Sequence, residues 1–390
     1  MTVITTTADL AAACKAFALE PYITVDTEFL RETTYWPKLC LIQIGGIEKS
    51  LIVDVLADGI SLEPFYALMT DRNVIKVFHA ARQDIETMWH LGKIIPVPLF
   101  DTQIAASVLG FGEQVGYDQI VQQLTGHKID KTQRFTNWAK RPLTKAQLDY
   151  AIDDVVHLRE VYEKLKAQLV EKGRSSWVDD ETAFLSDPKL YDADPERAWL
   201  RLRGRLRKPR EVAIMIELAA WREREAVSRN VPRGRILKDD AMADIAQRPP
   251  HDEAGLGALR SVQQGFERSK DASAVLEAVK RGLARDPKDL PEEAAPQKRP
   301  QNGAAATVEL LKVLLKKTAE ETGVSAKMLA TVDELEDIAM NDNPSVPSLK
   351  GWRYELFGEI AMRLKRGEIA LTVHHGKVVS LSSLDLKHSA

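Results

Sequence analysis

The chain is poor in cysteine. Two in 390 residues, Cys14 and Cys40, allow neither a disulfide framework nor a thiolate zinc cluster. Such sparing use fits a reducing compartment, and a cytoplasmic location is expected. Long apolar runs are missing too. No stretch approaches the ~18 consecutive apolar residues of a membrane span, so no membrane partner is expected. The opening Met1 to Leu10 has neither a basic cluster nor an apolar core, and no signal peptide is expected. No Gly-x4-Gly-Lys-Ser/Thr loop is present, which excludes a helicase-type motor.

What is present supports a substantial core. The chain is 44% hydrophobic, and its length suggests two to three domains. The net charge of −3 hides an uneven distribution. Between Arg197 and Arg235 there are 11 Arg and 1 Lys against 4 Glu, which leaves the remainder strongly acidic. A basic strip of this kind either meets a polyanion or forms a solvated helix face. Only Trp199 and Trp221 interrupt it, so base-specific readout is not expected there.

The first ~200 residues carry α/β patterning. Ile23–Phe29, Leu39–Ile44, Leu51–Val55 and Val74–Phe78 are short runs of β-formers. Helical spacing marks Leu62–Met69 and Ala81–Leu91. A longer helix is predicted from about Thr144, as N-cap, to a stop at Gly173. Three strands followed by helix, strand and helix predict a mixed sheet with flanking helices. Beyond Pro209 the pattern is helical up to the tail. The Pro-, Ala- and Glu-rich segment around 286–306 has linker composition. The helical part repeats itself at an offset of 93 residues without a gap. Asp244-Ile245-Ala246 meets Asp337-Ile338-Ala339, and Leu218 meets Leu311. A period that long implies two copies of a small domain. The expected division is 1–205, 206–287, a linker over 288–304, 305–376 and a tail over 377–390.

Three acidic motifs stand out. On a strand through Asp26-Thr-Glu28, both acids share one face, and they repel unless a cation or proton lies between them. Asp84 falls in the first turn of a helix, where the helix dipole favours an acid whatever its role. Glu86, two residues on, is expected to face solvent. Tyr150 and Asp154 lie one turn apart on a single helix face, whereas Asp153 points about 100° away. Each motif alone is ordinary.

Taken in order, Asp26-x-Glu28, Asp84 and Tyr150-x3-Asp154 resemble the DEDD exonuclease superfamily, in the subgroup with a tyrosine in its third motif. Tyr35-Trp-Pro-Lys-Leu-Cys, Asp101-Thr-Gln-Ile-Ala-Ala and Arg141-Pro-Leu-Thr-Lys-Ala-Gln-Leu-Asp-Tyr narrow the similarity to bacterial ribonuclease D. Asn137-Trp138 stands where that family has Asp-Trp. The repeated helical units are similar to HRDC domains. The resemblance implies an RNase H-like exonuclease domain followed by two HRDC-like units. It also implies two divalent cations, Mg²⁺ or Mn²⁺, held by Asp26, Glu28, Asp84 and Asp154, with Tyr150 orienting the attacking water. A phenol with a pKa near 10 is a poor base at neutral pH, which agrees with an orienting role.

The implied reaction is 3′→5′ removal of nucleoside 5′-monophosphates from RNA with a free 3′ end, tRNA precursors among them. No obligate protein partner is evident. Phe29 and Leu30 either wedge against the terminal base or leave the strand as core. Lys131, Gln133, Arg134 and Trp138 occupy a polar loop where basic groups suit phosphate contact, and Trp138 either stacks on a base or is buried. His79 either lines the cleft or serves the fold, and His157, one turn past Asp154, is not assigned to the site. A 3′→5′ DNA exonuclease and a non-catalytic nucleic-acid-binding protein on a nuclease scaffold are the alternative functions.

Overall fold

The computed structural model describes residues 2–206, 208–294 and 303–382. Its first domain is built on a mixed six-stranded sheet in the order β1-β4-β3-β2-β5-β6. The strands are β1 (Thr2–Ile4), β2 (Tyr22–Leu30), β3 (Lys38–Gly45), β4 (Ser50–Asp54), β5 (Ile75–Phe78) and β6 (Leu99–Asp101). β2, β3 and β4 form an antiparallel meander, and β1, β5 and β6 add in parallel. All four predicted strands are present. β1 and β6 have three residues each, too few for a period of two to show.

Helices α1 (Thr7–Phe17), α2 (Glu63–Thr70) and α3 (Arg82–Gly92) cover one sheet face. They close over Ile23, Val25, Ile42 and Val53. On the opposite face lies α6 (Lys145–Glu171), against which α4 (Thr102–Leu109), α5 (Tyr117–Thr125) and α7 (Ser175–Thr182) pack. Alternation along β2 and β3 makes both faces apolar, as a sheet covered on both sides requires.

The 27 residues of α6 span about 40 Å. Thr144 and Gln147 form a reciprocal capping box at its start. Gly173, at φ +65°, supplies the left-handed position just past its end. Ala151, Val155, Leu158, Tyr162, Leu165 and Leu169 form its buried stripe at alternating spacings of four and three. Gly45 lets this helix approach β3 closely. A Cβ there would meet the Thr24 hydroxyl at 2.4 Å and the Val155 carbonyl at 3.1 Å.

The first helical unit contains α8 (Pro209–Ser228), α9 (Arg233–Ile236), α10 (Asp239–Gln247), α11 (Glu253–Gly257) and α12 (Ala272–Ala284). The second contains α13 (Ala304–Thr322), α14 (Ala326–Leu329), α15 (Val332–Met340), α16 (Gly351–Arg353) and α17 (Glu359–Lys365). A shift of 93 residues lays α9 on α14 and α10 on α15 with both ends in register. The correspondence ends after α15, where the second unit is shorter. Ala294 packs into the first unit's core, so order continues into the expected linker, whose middle lies outside the described residues. A hairpin of β7 (Ile369–His374) and β8 (Lys377–Ser382) spans the 376/377 division. Ile369 joins the second unit's core, and the last eight residues of the expected tail lie outside the described residues.

The basic strip is largely committed within the molecule. Arg197, Arg201, Arg205, Arg222, Arg224, Arg229 and Arg233 each pair with a carboxylate. The strip thus supplies ion pairs in and around the first helical unit, where the sequence left a polyanion partner and a solvated face open. Glu223, 1% exposed, accepts from Arg201, Arg233 and the Tyr35 hydroxyl. Asn230 accepts from the backbone amides of Tyr35 and Trp36, both at 3.1 Å. The loop after β2 is thus docked on the first helical unit.

The second unit docks elsewhere on the nuclease-like domain. Trp177 of α7 stacks on Trp352 at 4.6 Å and 10°. Glu181 accepts from Trp352 Nε1 and Arg353, and Arg174 donates to the Thr322 carbonyl at 2.7 Å. Trp177→Ala is expected to weaken this docking by about 1–2 kcal/mol, the worth of a stacked aromatic pair plus its burial. Hydrogen exchange would then speed up at residues 351–353 while β2 and α6 keep their protection. Unchanged exchange at 351–353 would mean that the stack does not hold the unit.

Candidate active site

The strand face predicted for Asp26 and Glu28, which Thr24 shares, is the face covered by α6. Thr24 fixes the contact by donating to the Val155 carbonyl at 2.8 Å. Asp154, on the next residue of α6, is thereby brought against the two strand acids. One carboxylate oxygen from each of Asp26, Glu28 and Asp154 lies within 4.8 Å of the other two. Asp26 is central, because its charge acts on Glu28, Asp84 and Asp154 alike.

Asp84 reaches the group from the other side of the strand. The Thr27 hydroxyl, between the two strand acids, donates to its carboxylate. Its helix is placed by Asp101, which caps α4 and also accepts from the amides of Ala80 and Ala81, at 3.0 and 2.9 Å. Those bonds hold Ala80 at φ +60°, a conformation a side chain adopts at some cost, and set the turn that starts α3.

The electrostatics are those of crowded acids. Burial and the Asp26 charge hold Asp84 and Asp154 well above the usual carboxylate range. Burial pushes Asp26 up to about 7, against a backbone N–H bond from Thr27 that favours the anion. Burial and repulsion from Asp26, Asp154 and Asp84 push Glu28 up to about 10. Arg134 opposes this at Glu28 and Asp154 without cancelling it. Hard divalent cations prefer all-oxygen donors of this kind, and their charge reverses these shifts. The donor set therefore fits Mg²⁺ or Mn²⁺.

Tyr150 donates to Asp154 within α6. Burial first, then the Asp154, Glu28 and Asp26 charges, push its phenol far above its ordinary value. Its hydroxyl is therefore a donor that keeps its proton.

Several sequence expectations change. Trp138 is 2% exposed and packs with Cys40, Leu41, Ile52 and Ala151, beneath Tyr150 at 6.0 Å. It cannot stack on a base, because the loop's largest ring fills the core under the site. His79 uses both ring nitrogens at 3.0 Å, with the Thr102 hydroxyl and the Val115 carbonyl, so it serves the fold. Glu86 does not face open solvent but takes a two-bond contact from Arg31, at 2.6 and 2.8 Å. His157 lies against His127, 4.9 Å away. Lys131 is paired with Asp118. The β2–β3 register shifts at Glu28/Phe29. Beyond it Leu30 packs on the Trp138 cluster, whereas Phe29 joins no apolar cluster and stays half-buried.

Three supporting groups escaped sequence reasoning. Thr27 anchors Asp84. The Tyr117 hydroxyl donates to the Asp154 carbonyl at 2.6 Å. Arg141 binds Asp54 at 2.7 and 2.5 Å and the Trp138 and Cys40 carbonyls, tying the loop before α6 to the sheet. Thr27 was discoverable from its place between two acids. The Tyr117 contact crosses 37 residues and leaves no local signal.

Comparison with known proteins agrees with this geometry. A family model described as 3′-5′ exonuclease matches residues 1–170, and one described as HRDC domain matches residues 211–279. Ribonuclease D of Nitrobacter hamburgensis is 54% identical over 97% of this chain and 99% of that protein. Ribonuclease D of Bartonella henselae is 46% identical over 97% of this chain and 93% of its own length. The crystal structure of Escherichia coli RNase D, described as an exoribonuclease involved in structured RNA processing, matches with a TM-score of 0.81. That match has 28% identity and covers 94% of this chain and 98% of that one.

Proposed function

Because the chain belongs to the ribonuclease D family and is a 3′→5′ exoribonuclease, we propose that Asp26, Glu28, Asp84, Tyr150 and Asp154 form its catalytic centre, trimming 3′ ends of structured RNAs such as tRNA precursors in the cytoplasm. The observation that carries this reading is the convergence of Asp26, Glu28 and Asp154 within 4.8 Å. The four carboxylates would hold two divalent cations, Mg²⁺ or Mn²⁺. When bound, such a pair lowers the pKa of water and neutralises charge on the attacking and leaving oxygens of a phosphodiester.

The protein's own groups orient the reactants. Tyr150, held by its bond to Asp154, presents a fixed hydroxyl to the attacking water. Tyr117 and Thr24 fix the backbone of α6 around Asp154, so the carboxylate does not drift from β2. Thr27 does the same for Asp84. Arg134 offers a guanidinium to a substrate phosphate beside the acids. Phe29, half-buried and directly after Glu28, is the group assigned to wedge against a terminal base. Each cycle breaks the bond between phosphorus and the 3′ oxygen of the preceding residue, which releases a nucleoside 5′-monophosphate. The second helical unit, in register with the first, is a further HRDC-like module.

The reading is tested with matched 5′-labelled RNA and DNA strands. RNA is expected to shorten stepwise from its 3′ end in Mg²⁺ or Mn²⁺ and to stay intact in EDTA. Tyr150→Phe is expected to slow that ladder about ten- to a hundred-fold, with RNA affinity unchanged. Faster loss of DNA than RNA would move the substrate assignment to DNA.

A further inference from the structure

Phe135 is 89% exposed, more than any other large apolar side chain described. The next most exposed aromatic residue, Phe184, is at 52%. Phe135 is not a loose end. The Arg134 and Thr136 amides donate to the Lys131 and Gln133 carbonyls, each at 3.1 Å, which fixes the turn. Thr136 also accepts from Gln147 Nε2 at 3.2 Å, tethering the turn to the first turn of α6, one turn before Tyr150. Three residues on, Trp138 is locked beneath Tyr150. A hydrogen-bonded turn thus carries an apolar ring into solvent. Arg134, the residue before it, acts electrostatically on Glu28, Tyr150 and Asp154 and lies 5.3 Å from the Phe135 ring.

We propose that Phe135 is a stacking platform for a base of the RNA 3′ segment, with Arg134 taking the adjoining phosphate. The inference rests on the exoribonuclease reading for its substrate. Stacking suits an enzyme that steps through every base, because each base offers a π face and none is read by hydrogen bonds. It also assigns to Phe135 the stacking role that sequence alone left open for Trp138.

The test uses full-length protein and single-stranded RNA. Phe135→Ala is expected to raise KM about ten-fold with kcat within two-fold, and Phe135→Trp to restore it. In an Asp154→Asn background, Phe135→Ala weakens RNA binding about ten-fold without changing its salt dependence. Arg134→Ala instead reduces the slope of log affinity against log salt by about 0.7. Abasic residues are then placed singly along the 3′ segment. At one position the loss from Phe135→Ala should vanish, because the platform has no base to hold. Unchanged KM and affinity in Phe135→Ala, or an equal loss at every abasic position, would overturn the platform while wild-type trimming keeps the functional reading. Absence of wild-type 3′ trimming would overturn both.

Discussion

Asp154→Asn is expected to lower RNA turnover at least about a thousand-fold while the fold stays intact. Asparagine has nearly the shape of aspartate, and the apolar stripe of α6 is untouched. The neutral amide loses the charge that completes the acid cluster, yet it still accepts a bond from Tyr150. Removing one of four crowded acids also relieves repulsion on Asp26, so the folded state does not suffer. Asp153→Asn is the internal control. Asp153 is the neighbouring residue, about 100° around the helix, and its carboxylate is not one of the three that converge within 4.8 Å. Single-turnover rates on 5′-labelled RNA should separate the two variants by three orders of magnitude. Near-normal turnover by Asp154→Asn would remove this carboxylate from the centre.

The acidic set was legible because the order of its motifs resembles a known family, and local periodicity agrees with two of the three. A period of two places Asp26 and Glu28 together, and four residues along a helix place Tyr150 over Asp154. The capping box at Thr144 and the stop at Gly173 bound α6 for the same local reasons. The helical repeat was legible because a gapless offset preserves whole helices, as α10 and α15 show. What stayed hidden depends on contacts across the chain. Nothing near Trp138 says that its ring goes under Tyr150 rather than outward. Nothing near Arg201 or Arg233 says that both turn to Glu223. The strip's charge was plain, but its partners Asp239, Asp240, Asp271 and Glu293 come from outside it. Charge counted along a sequence measures supply, whereas a binding face depends on what folding leaves unpaired.

Protein stripped of divalent cations is expected to lose thermal stability as pH rises from about 5 to 8, and Mg²⁺ or Mn²⁺ to restore it. In the folded chain Asp26 titrates at about 7, against about 3.9 for a free aspartate. Between those values the folded state keeps a proton that the unfolded state has released. Stability therefore falls with rising pH through this window, by on the order of a kcal/mol per unit. Glu28, pushed to about 10, adds to the decline across this window and carries it on above pH 7. For a domain of this size each kcal/mol lost lowers Tm by roughly 2–4 °C. Bound cations favour the ionised carboxylates, so the same protein in Mg²⁺ should show a nearly flat profile. Metal uptake should release protons, and affinity should climb with pH over the same range. Calorimetry in EDTA and in Mg²⁺ at successive pH values checks the sign. Asp26→Asn, which removes the central charge, should flatten the EDTA profile without metal. A flat wild-type profile in EDTA would mean that the carboxylates are not forced together, and the centre would lose its electrostatic reason to bind cations.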